Sequence, residues 1–286
     1  MAQFTNQAQL SYGNVVASSN VAVGEILEVL TVTKTAVVDS YSAGERVTYI
    51  ISIVNSGATA LTNLTISDNL GAYDFGTGTL VPLDYVDGSV KYYIDGALQP
   101  APAVTGTSPL VITGINVSAG GNTVIAYEAT ANSFAPLGQD GTVTNTATVS
   151  GNGITPVEAT EIIYANLAPD ISITKSISPV PVSPNGIVTY TFIIENSGNT
   201  PLVATDNAII TDTFDPALTD ISVTFNGTPW QEGVDYTYNE ATGEFASIAG
   251  EITVDAATYS QSPSGVWSTI PGTSTIVVTG NIGSIG

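Results

Sequence analysis

The chain has 286 residues, with 4 basic and 25 acidic side chains, a formal net charge of −21, and neither cysteine nor histidine. This charge disfavours binding to nucleic acid or to an anionic membrane. The missing residue types exclude disulfides, thiol nucleophiles, imidazole bases and the common zinc sites. We therefore predict no cofactor and no metal site, and a diffusible enzyme is the least favoured class.

The composition indicates an all-β protein of about two domains. Thr, Val, Ile, Ser, Gly, Asn and Tyr dominate, and no long stretch carries apolar residues at helical spacing. The opening MAQFTNQAQL lacks the basic and apolar regions of a secretory signal peptide. No later run is long enough to cross a bilayer, so we predict no membrane insertion and a chain that is either leaderless or has lost its signal.

The first strand along the chain has the pattern of a strand that occurs much later. Residues 4–14, FTNQAQLSYGN, recur as VTNTATVSGNG at residues 143–153. The later copy closes a long β-patterned segment, whereas nothing precedes the first copy that it could close. We predict that residues 1–28 form a donor-strand extension. Alternate residues of its strand share one face: Phe4, Asn6, Ala8 and Leu10.

Residues 29–166 are predicted to form a first β-sandwich. Alternation gives two successive strands an inner face: Val47, Tyr49, Ile51 and Ile53, then Leu64, Ile66 and Asp68. Further strands are expected near residues 89–93, 110–115, 123–130, 143–151 and 156–164. Ala168-Pro169 marks the junction to the next domain.

Residues 167–286 repeat this domain but stop short of its last strand. Three residues recur 141 positions later (for the lysines, 175 − 34 = 141): Lys34 as Lys175, Tyr49 as Tyr190 and Asn55 as Asn196. Asp68 corresponds to Asp212, since 212 − 68 = 144 includes a small insertion. The segment STIVVTGNIG aligns with NTVIAYEATA, and no VTNTATVSG follows. The second sandwich is therefore predicted to lack its closing strand.

The repeated pattern T-K-(x)n-G-x-x-V-T-Y-x-I-x-I-x-N-S-G, with a strand ending in T/S-D and a closing V-T-N-T-A-T-V, resembles the many-copied surface repeats of bacterial and archaeal envelope proteins. The resemblance implies immunoglobulin-like β-sandwiches outside the cell. Related bacterial surface sandwiches carry spontaneous isopeptide bonds from lysine to asparagine or aspartate, so the resemblance implies that chemistry as well. The open second copy departs from the family pattern.

Lysine, aspartate and asparagine recur at inward-facing positions, and these are the residue types that isopeptide formation uses. Strand parity places each lysine, each aspartate and each asparagine beside apolar residues, and a buried ammonium must be paired, neutralised or consumed. We predict two cross-linking triads. The first is Lys34, Asp68 and Asn145 within one molecule, and the second is Lys175, Asp212 and the Asn6 of a neighbouring molecule.

In each triad the desolvated lysine amine is expected to attack the asparagine side-chain carbonyl. The aspartate, kept protonated by apolar surroundings, polarises that carbonyl and relays the proton as ammonia leaves. Glu128 is a competing acid in the first domain, but its aligned position in the second is Gly280, which favours Asp68. A buried Lys–Asp salt bridge with a hydrogen-bonded Asn is the non-covalent alternative.

The predicted function is that of a structural subunit of a pilus-like filament on a cell or spore surface. A sandwich without its last strand exposes unpaired backbone groups, which a strand from another copy can fill to give a head-to-tail homopolymer. The alternative is a fragment of a tandem-repeat surface stalk or an adhesin that does not polymerise. For an adhesin, the stacking platforms for a host or surface ligand are Trp230, Trp267 and the Tyr92-Tyr93 pair.

Overall fold

The computed structural model describes residues 2–26, 29–151, 153–183 and 185–282, which form an extension followed by two β domains. Apart from one turn of 3-10 helix at Ala204–Asp206, the regular structure of these residues is all strand. They contain no helix of the length and apolar character that crossing a membrane requires. The prediction of an all-β fold is confirmed.

The extension is a β-hairpin whose strands, among the residues that the structure describes, pair with one another. Its strands are β1 (Ala2–Asn6), β2 (Gln9–Tyr12), β3 (Val15–Ser18) and β4 (Ala22–Ile26). β1 pairs with β4 and β2 with β3, around a two-residue Gly13-Asn14 turn. Gly13 has a φ of +58°, which favours glycine at this position. Every side chain of residues 4–23 is exposed, so the hairpin is not packed into either domain.

The first domain is a sandwich of two sheets. Its strands are β5 (Leu30–Ala36), β6 (Ser40–Tyr41), β7 (Arg46–Asn55), β8 (Leu61–Asp68), β9 (Tyr73–Phe75), β10 (Gly78–Leu80), β11 (Leu83–Tyr85), β12 (Lys91–Ile94), β13 (Ala97–Gln99), β14 (Ala103–Thr107), β15 (Leu110–Val117), β16 (Asn122–Ala131), β17 (Thr142–Ser150) and β18 (Val157–Ala165). One sheet has the order β13-β12-β16-β7-β5, with β11 also beside β16. The other has the order β14-β15-β8-β17-β18-β6, so β17 lies between β8 and β18.

The core of this domain lies between the two sheets, where the alternation predicted it. The residues predicted to face inward on β7 and β8 are all fully buried: Val47, Tyr49, Ile51, Ile53, Leu64, Ile66 and Asp68. Their neighbours in sequence face outward because side chains alternate between the two sides of a strand. The position of Asp68 in this row is what brings a carboxylate into the core.

The repeated N-S-G motif closes the end of the central strand in each domain. Asn55 Nδ2 donates to the carbonyls of Thr59 and Ser118, at 2.8 and 3.0 Å, and Asn55 Oδ1 accepts from the Gly57 N–H at 3.0 Å. Asn196 makes the equivalent three bonds in the second domain. Because these bonds satisfy partly buried backbone groups, the motif is a structural brace of the turn.

The second domain has a five-stranded sheet and a three-stranded sheet. Its strands are β19 (Ile171–Ser178), β20 (Ile187–Asn196), β21 (Thr211–Thr213), β22 (Leu218–Phe225), β23 (Thr228–Pro229), β24 (Tyr236–Asn239), β25 (Glu244–Ser247), β26 (Thr258–Gln261), β27 (Trp267–Ile270) and β28 (Gly272–Ile282). The sheets have the orders β19-β20-β28-β22-β23 and β21-β25-β24, and β26 and β27 form a separate hairpin. Within the described ranges, no strand occupies the place that β17 and β18 take in the first domain.

Candidate functional site

Lys34, Asp68 and Asn145 meet in the core of the first domain. Lys34 extends from β5, the edge strand of one sheet, while Asp68 and Asn145 lie on the adjacent strands β8 and β17 of the other. Lys34 Nζ is 2.6 Å from Asp68 Oδ2, and neither side chain is exposed. Asn145 is also fully buried. The structure thus brings together the three residues of the first predicted triad.

Tyr127 joins the aspartate to the asparagine. Its hydroxyl donates to Asp68 Oδ2 at 2.7 Å and accepts from Asn145 Nδ2 at 3.1 Å. Asn145 Oδ1 is buried and has no hydrogen-bond partner among the described residues. The sequence reasoning missed Tyr127, although it lies on the inner face of a predicted strand and stacks on Tyr49 at 5.5 Å between ring centroids. Alternation identified its face but not its partners.

Asp68 is surrounded by hydrogen-bond donors. Lys34 Nζ and the Tyr127 hydroxyl contact Oδ2, and the Leu70 N–H donates to Oδ1 at 3.0 Å. The structure therefore places Asp68 in contact with both the lysine and the tyrosine of the site. Its role in polarising the asparagine carbonyl stays a prediction.

The Lys34 ammonium lies in a dry, aromatic environment. Burial lowers the pKa of Lys34 from 10.5 to about 8, against the opposing effect of the Asp68 and Glu161 carboxylates. Lys34 Nζ lies 4.8 Å from the centroid of the Tyr49 ring. Burial also raises the pKa of the Tyr127 hydroxyl well above its usual value, so this group keeps its proton. The lysine is thus closer to a neutral nucleophile than an exposed lysine is.

Lys175 and Asp212 form the matching ion pair in the second domain, but this pair is open to solvent. Lys175 Nζ contacts Asp212 Oδ2, and the two side chains are 39% and 18% exposed. The lysine packs over the rings of Tyr190 and Phe214, at 4.6 and 5.3 Å. The predicted burial of Lys175 is wrong for a single chain, because the described residues provide no equivalents of β17 and β18 to cover it.

The strands around Lys175 are more exposed than the corresponding strands of the first domain. Every residue of β19 is exposed. Its alternate residues Ile171, Ile173 and Ile177 are 41%, 53% and 41% exposed, whereas Val32 on the equivalent strand β5 is buried. β21, which carries Asp212, pairs only with β25 in the described part of the chain, whereas β8 has partners on both sides. One edge of β21 is therefore unpaired beside the Lys175–Asp212 pair.

The predicted donor strand lies apart from this site in the single chain. Asn6 is in β1, opposite Ala22, and it is exposed. Phe4, Ala8 and Leu10 are exposed as well. The structure of one chain therefore does not bring Asn6 to Lys175 or to Asp212.

The competing acid Glu128 faces away from the core. It forms an ion pair with Arg46 on the surface, at 3.1 Å. Its alignment with Gly280 is wrong by one residue. Thr48 pairs with Glu128, and its counterpart 141 positions later, Thr189, pairs with Thr279. The same register makes Val278 the counterpart of Tyr127, so the second site lacks the tyrosine that bridges the first.

Of the aromatic residues considered as ligand platforms, Tyr92 and Trp230 pack within their domains, whereas a ligand role of Tyr93 and Trp267 stays a prediction. Tyr92 is buried, and its hydroxyl accepts from the Asn116 N–H at 2.8 Å. Trp230 stacks on Phe225, with 5.2 Å between the rings. Trp267 is half-buried. Among the described residues, no three potential metal ligands cluster together.

No protein-family model matches the chain, and neither does any curated protein. Among solved structures it is similar to the major pilin subunit BcpA of Bacillus cereus, with 10% identity over 95% of this chain and 73% of that one and a TM-score of 0.36. It is also similar to the RrgB pilus backbone of Streptococcus pneumoniae, with 15% identity over 82% of this chain, about half (52%) of that one, and a TM-score of 0.34. The collagen-binding domain of a Staphylococcus aureus adhesin matches 49% of this chain over 99% of its own length, with 11% identity and a TM-score of 0.31. Similarity at this level carries no argument about function.

Proposed function

We propose that the chain is a structural subunit of an extracellular filament on a cell or spore surface, and that copies join by donor-strand complementation. The observation that carries the proposal is that the second domain has an uncovered strand edge and the extension has an exposed strand with the pattern to cover it. The unpaired edge of β21 lies beside an exposed ion pair and an exposed apolar strand. The exposed strand β1–β2 has the sequence pattern of β17, the strand that fills this place in the first domain.

The first domain supplies a register for the donated strand. In the pairing of β17 with β8, Ala147 lies opposite Asp68 and Val149 opposite Ile66. The same register in the second domain sets the Ala8 of another copy opposite Asp212. It then places Asn6 of that copy at the position that Asn145 takes in the first domain, on the same side of the sheet as Asp212. Donated backbone groups satisfy the edge of β21, and alternate side chains cover the open core.

The contact between copies is head to tail. Donor and acceptor lie on different parts of the chain, so each copy offers one of each, and the contact is heterologous. Repetition of a heterologous contact produces an open fibre unless the rotation closes a ring. The net charge of −21 keeps such fibres solvated and mutually repelling. The partner of the chain in this proposal is the chain itself.

The proposed chemistry is formation of an isopeptide bond from Lys34 Nζ to Asn145 Cγ. One ammonium proton passes to Asp68, and the amine lone pair attacks Cγ. The bond from Cγ to Nδ2 then breaks, and Nδ2 leaves as ammonia with the second amine proton. The net change is the loss of one ammonia, with no oxidant or cofactor. The same reaction of Lys175 with the Asn6 of a neighbour links the copies, so each site reacts once, on the protein itself.

The proposal is tested with the purified full chain. Incubation at increasing concentration is expected to give ladders that resist heat and SDS. Asn6→Ala, on the face directed at Lys175, is expected to leave polymers that SDS dissociates, whereas the outward control Thr5→Ala keeps the resistant ladders. Removal of residues 1–12 is expected to abolish polymers. A wild-type chain that stays monomeric, or polymers formed without residues 1–12, would refute the proposal.

A further inference from the structure

We propose that the unit donated between copies is the whole hairpin β1–β4, so that the returning strands β3 and β4 are buried on the next copy together with β1 and β2. This inference rests on the proposed function and assigns a second contact to the same interface. The surface that receives the returning strands is the exposed face of β19. The partner is a second copy of this chain.

One face of the hairpin carries its largest apolar side chains. Pairing sets Phe4 opposite Gly24, Asn6 opposite Ala22, Leu10 opposite Ala17 and Tyr12 opposite Val15. Side chains of directly opposed residues project on the same side of a hairpin. These eight residues are therefore called the inner face, and Asn6 is its polar centre. Its large apolar side chains, Phe4, Leu10 and Tyr12, are each more than half exposed, which is typical of a surface that awaits a partner.

The exposed face of β19 is a row of apolar residues, like the inner face of the hairpin. Ile171, Ile173 and Ile177 alternate along β19 with Lys175 in the same row, and all four are exposed. In the first domain the equivalent row on β5 is covered, since Val32 and Lys34 are buried. The two uncovered surfaces are thus both apolar, and each contains one polar group of the proposed cross-link.

In the first domain the returning strand provides the cover for the edge strand of the opposite sheet. β17 pairs with β8 and so reaches Asp68, whereas β18 lies on the far side of β17. Glu161 of β18 accepts from the Ala36 N–H of β5 at 3.2 Å. Ile163 of β18 is fully buried. A single donated strand would therefore satisfy β21 but leave the row on β19 exposed, and only a hairpin supplies both contacts.

One pair of opposed residues, Phe4 and Gly24, indicates that the two strands of the hairpin are buried together. In the first domain Val143 lies opposite Ile163. In the free hairpin the corresponding pair is Phe4 opposite Gly24, and the Phe4 ring lies so close over Gly24 that a Cβ there would be 2.3 Å from it. The larger residue has moved from the returning strand to the first strand. Because the Phe4 ring extends across Gly24 of the returning strand, a contact that buries the ring also covers that strand.

A matched pair of charge substitutions tests the inference. Ala17→Asp adds a carboxylate to the inner face of the returning strand, and Val16→Asp adds the same charge to its outer face, opposite Ser11. Both positions are exposed in the free hairpin, so neither change disturbs the folded domains. We expect Ala17→Asp to slow polymerisation about tenfold or more, because it buries an unpaired charge, and Val16→Asp to change it by less than about threefold.

The outcomes separate this inference from the proposed function. Leu10→Asp, on the first strand, is expected to block polymerisation whether a strand or a hairpin is donated. If the wild-type chain stays monomeric, or Leu10→Asp polymerises like wild type, the proposed function and this inference both fail. If wild type polymerises, Leu10→Asp does not, and Ala17→Asp and Val16→Asp behave alike, a single strand is donated and the hairpin inference alone is overturned.

Discussion

Replacement of Asn145 by alanine distinguishes a covalent bond in the first domain from a buried ion pair. If Lys34 and Asn145 are linked, the bond closes a loop of 145 − 34 = 111 positions. A cross-link across a loop of about this length removes unfolded-state entropy worth about 5 kcal/mol. Asn145→Ala loses that contribution, so the free energy of unfolding falls by about 5 kcal/mol.

The non-covalent arrangement gives a much smaller number. Asn145 then contributes one hydrogen bond, from Nδ2 to the Tyr127 hydroxyl, because its Oδ1 has no partner among the described residues. Its removal, with the small cavity it leaves, costs about 1–2 kcal/mol. The two cases differ by about 3–4 kcal/mol, which corresponds to a change in Tm on the order of 10 °C.

The assay combines intact mass with chemical unfolding of the full chain. We expect the wild-type mass to be lower than the sequence mass by at least one ammonia, and Asn145→Ala to lack the loss that belongs to the first domain. The matched control is Asn69→Ala. Asn69 Oδ1 accepts from the Thr146 and Gly71 N–H groups, so this variant loses two hydrogen bonds, or about 2 kcal/mol, but keeps the mass loss. A wild-type mass equal to the sequence mass, together with a loss of 2 kcal/mol or less in Asn145→Ala, refutes the covalent bond.

We make one further prediction for each of three features, which are the Tyr127 hydroxyl, the buried Lys34 and the N-S-G brace. Tyr127→Phe removes the hydroxyl that bridges Asp68 and Asn145. The rate of ammonia loss after refolding, followed as intact mass against time, is expected to fall about tenfold or more. An unchanged rate contradicts a role for the hydroxyl. In Asn145→Ala, which cannot form the bond, unfolding releases Lys34 from a pKa of about 8 to 10.5. Between these two pKa values the unfolded state binds more protons than the folded state, so the free energy of unfolding should rise from pH 8 to about 10. Near pH 10, ionisation of tyrosines in the unfolded state reverses this trend. Denaturant titrations that show a flat or falling free energy of unfolding from pH 8 to about 10 would argue against a desolvated lysine. Asn55→Ala removes three hydrogen bonds to partly buried backbone groups, and Asn196→Ala removes four, the fourth from the Asp170 N–H. Each variant is expected to cost about 3–4 kcal/mol in its own domain, whereas a loss under about 1 kcal/mol would show that the N-S-G brace is dispensable.

The sequence by itself determined the long strands of the first domain, the faces of those strands and the repeat, but not the short strands β6, β9, β10, β11, β13 and β14. Alternation of apolar residues has a period of two, so it fixes which side of a strand faces the core without knowledge of the neighbouring strand. For this reason strand parity alone was enough to place Lys34, Asp68 and Asn145 on the inner face. The repeat spacing similarly identified Lys175 and Asp212 as the second pair.

Only the tertiary structure decided which inward-facing side chains touch and which remain uncovered. The contact of Tyr127 with Asp68 joins β16 of one sheet to β8 of the other, so it depends on how the two sheets pack. An error of one residue in aligning the two copies hid the counterpart of Tyr127 in the second domain. The exposure of Lys175 likewise depends on strands being absent, among the described residues, from one place in a sheet. Burial is a property of everything that surrounds a residue, and a pattern within one strand contains no information about the strand beside it.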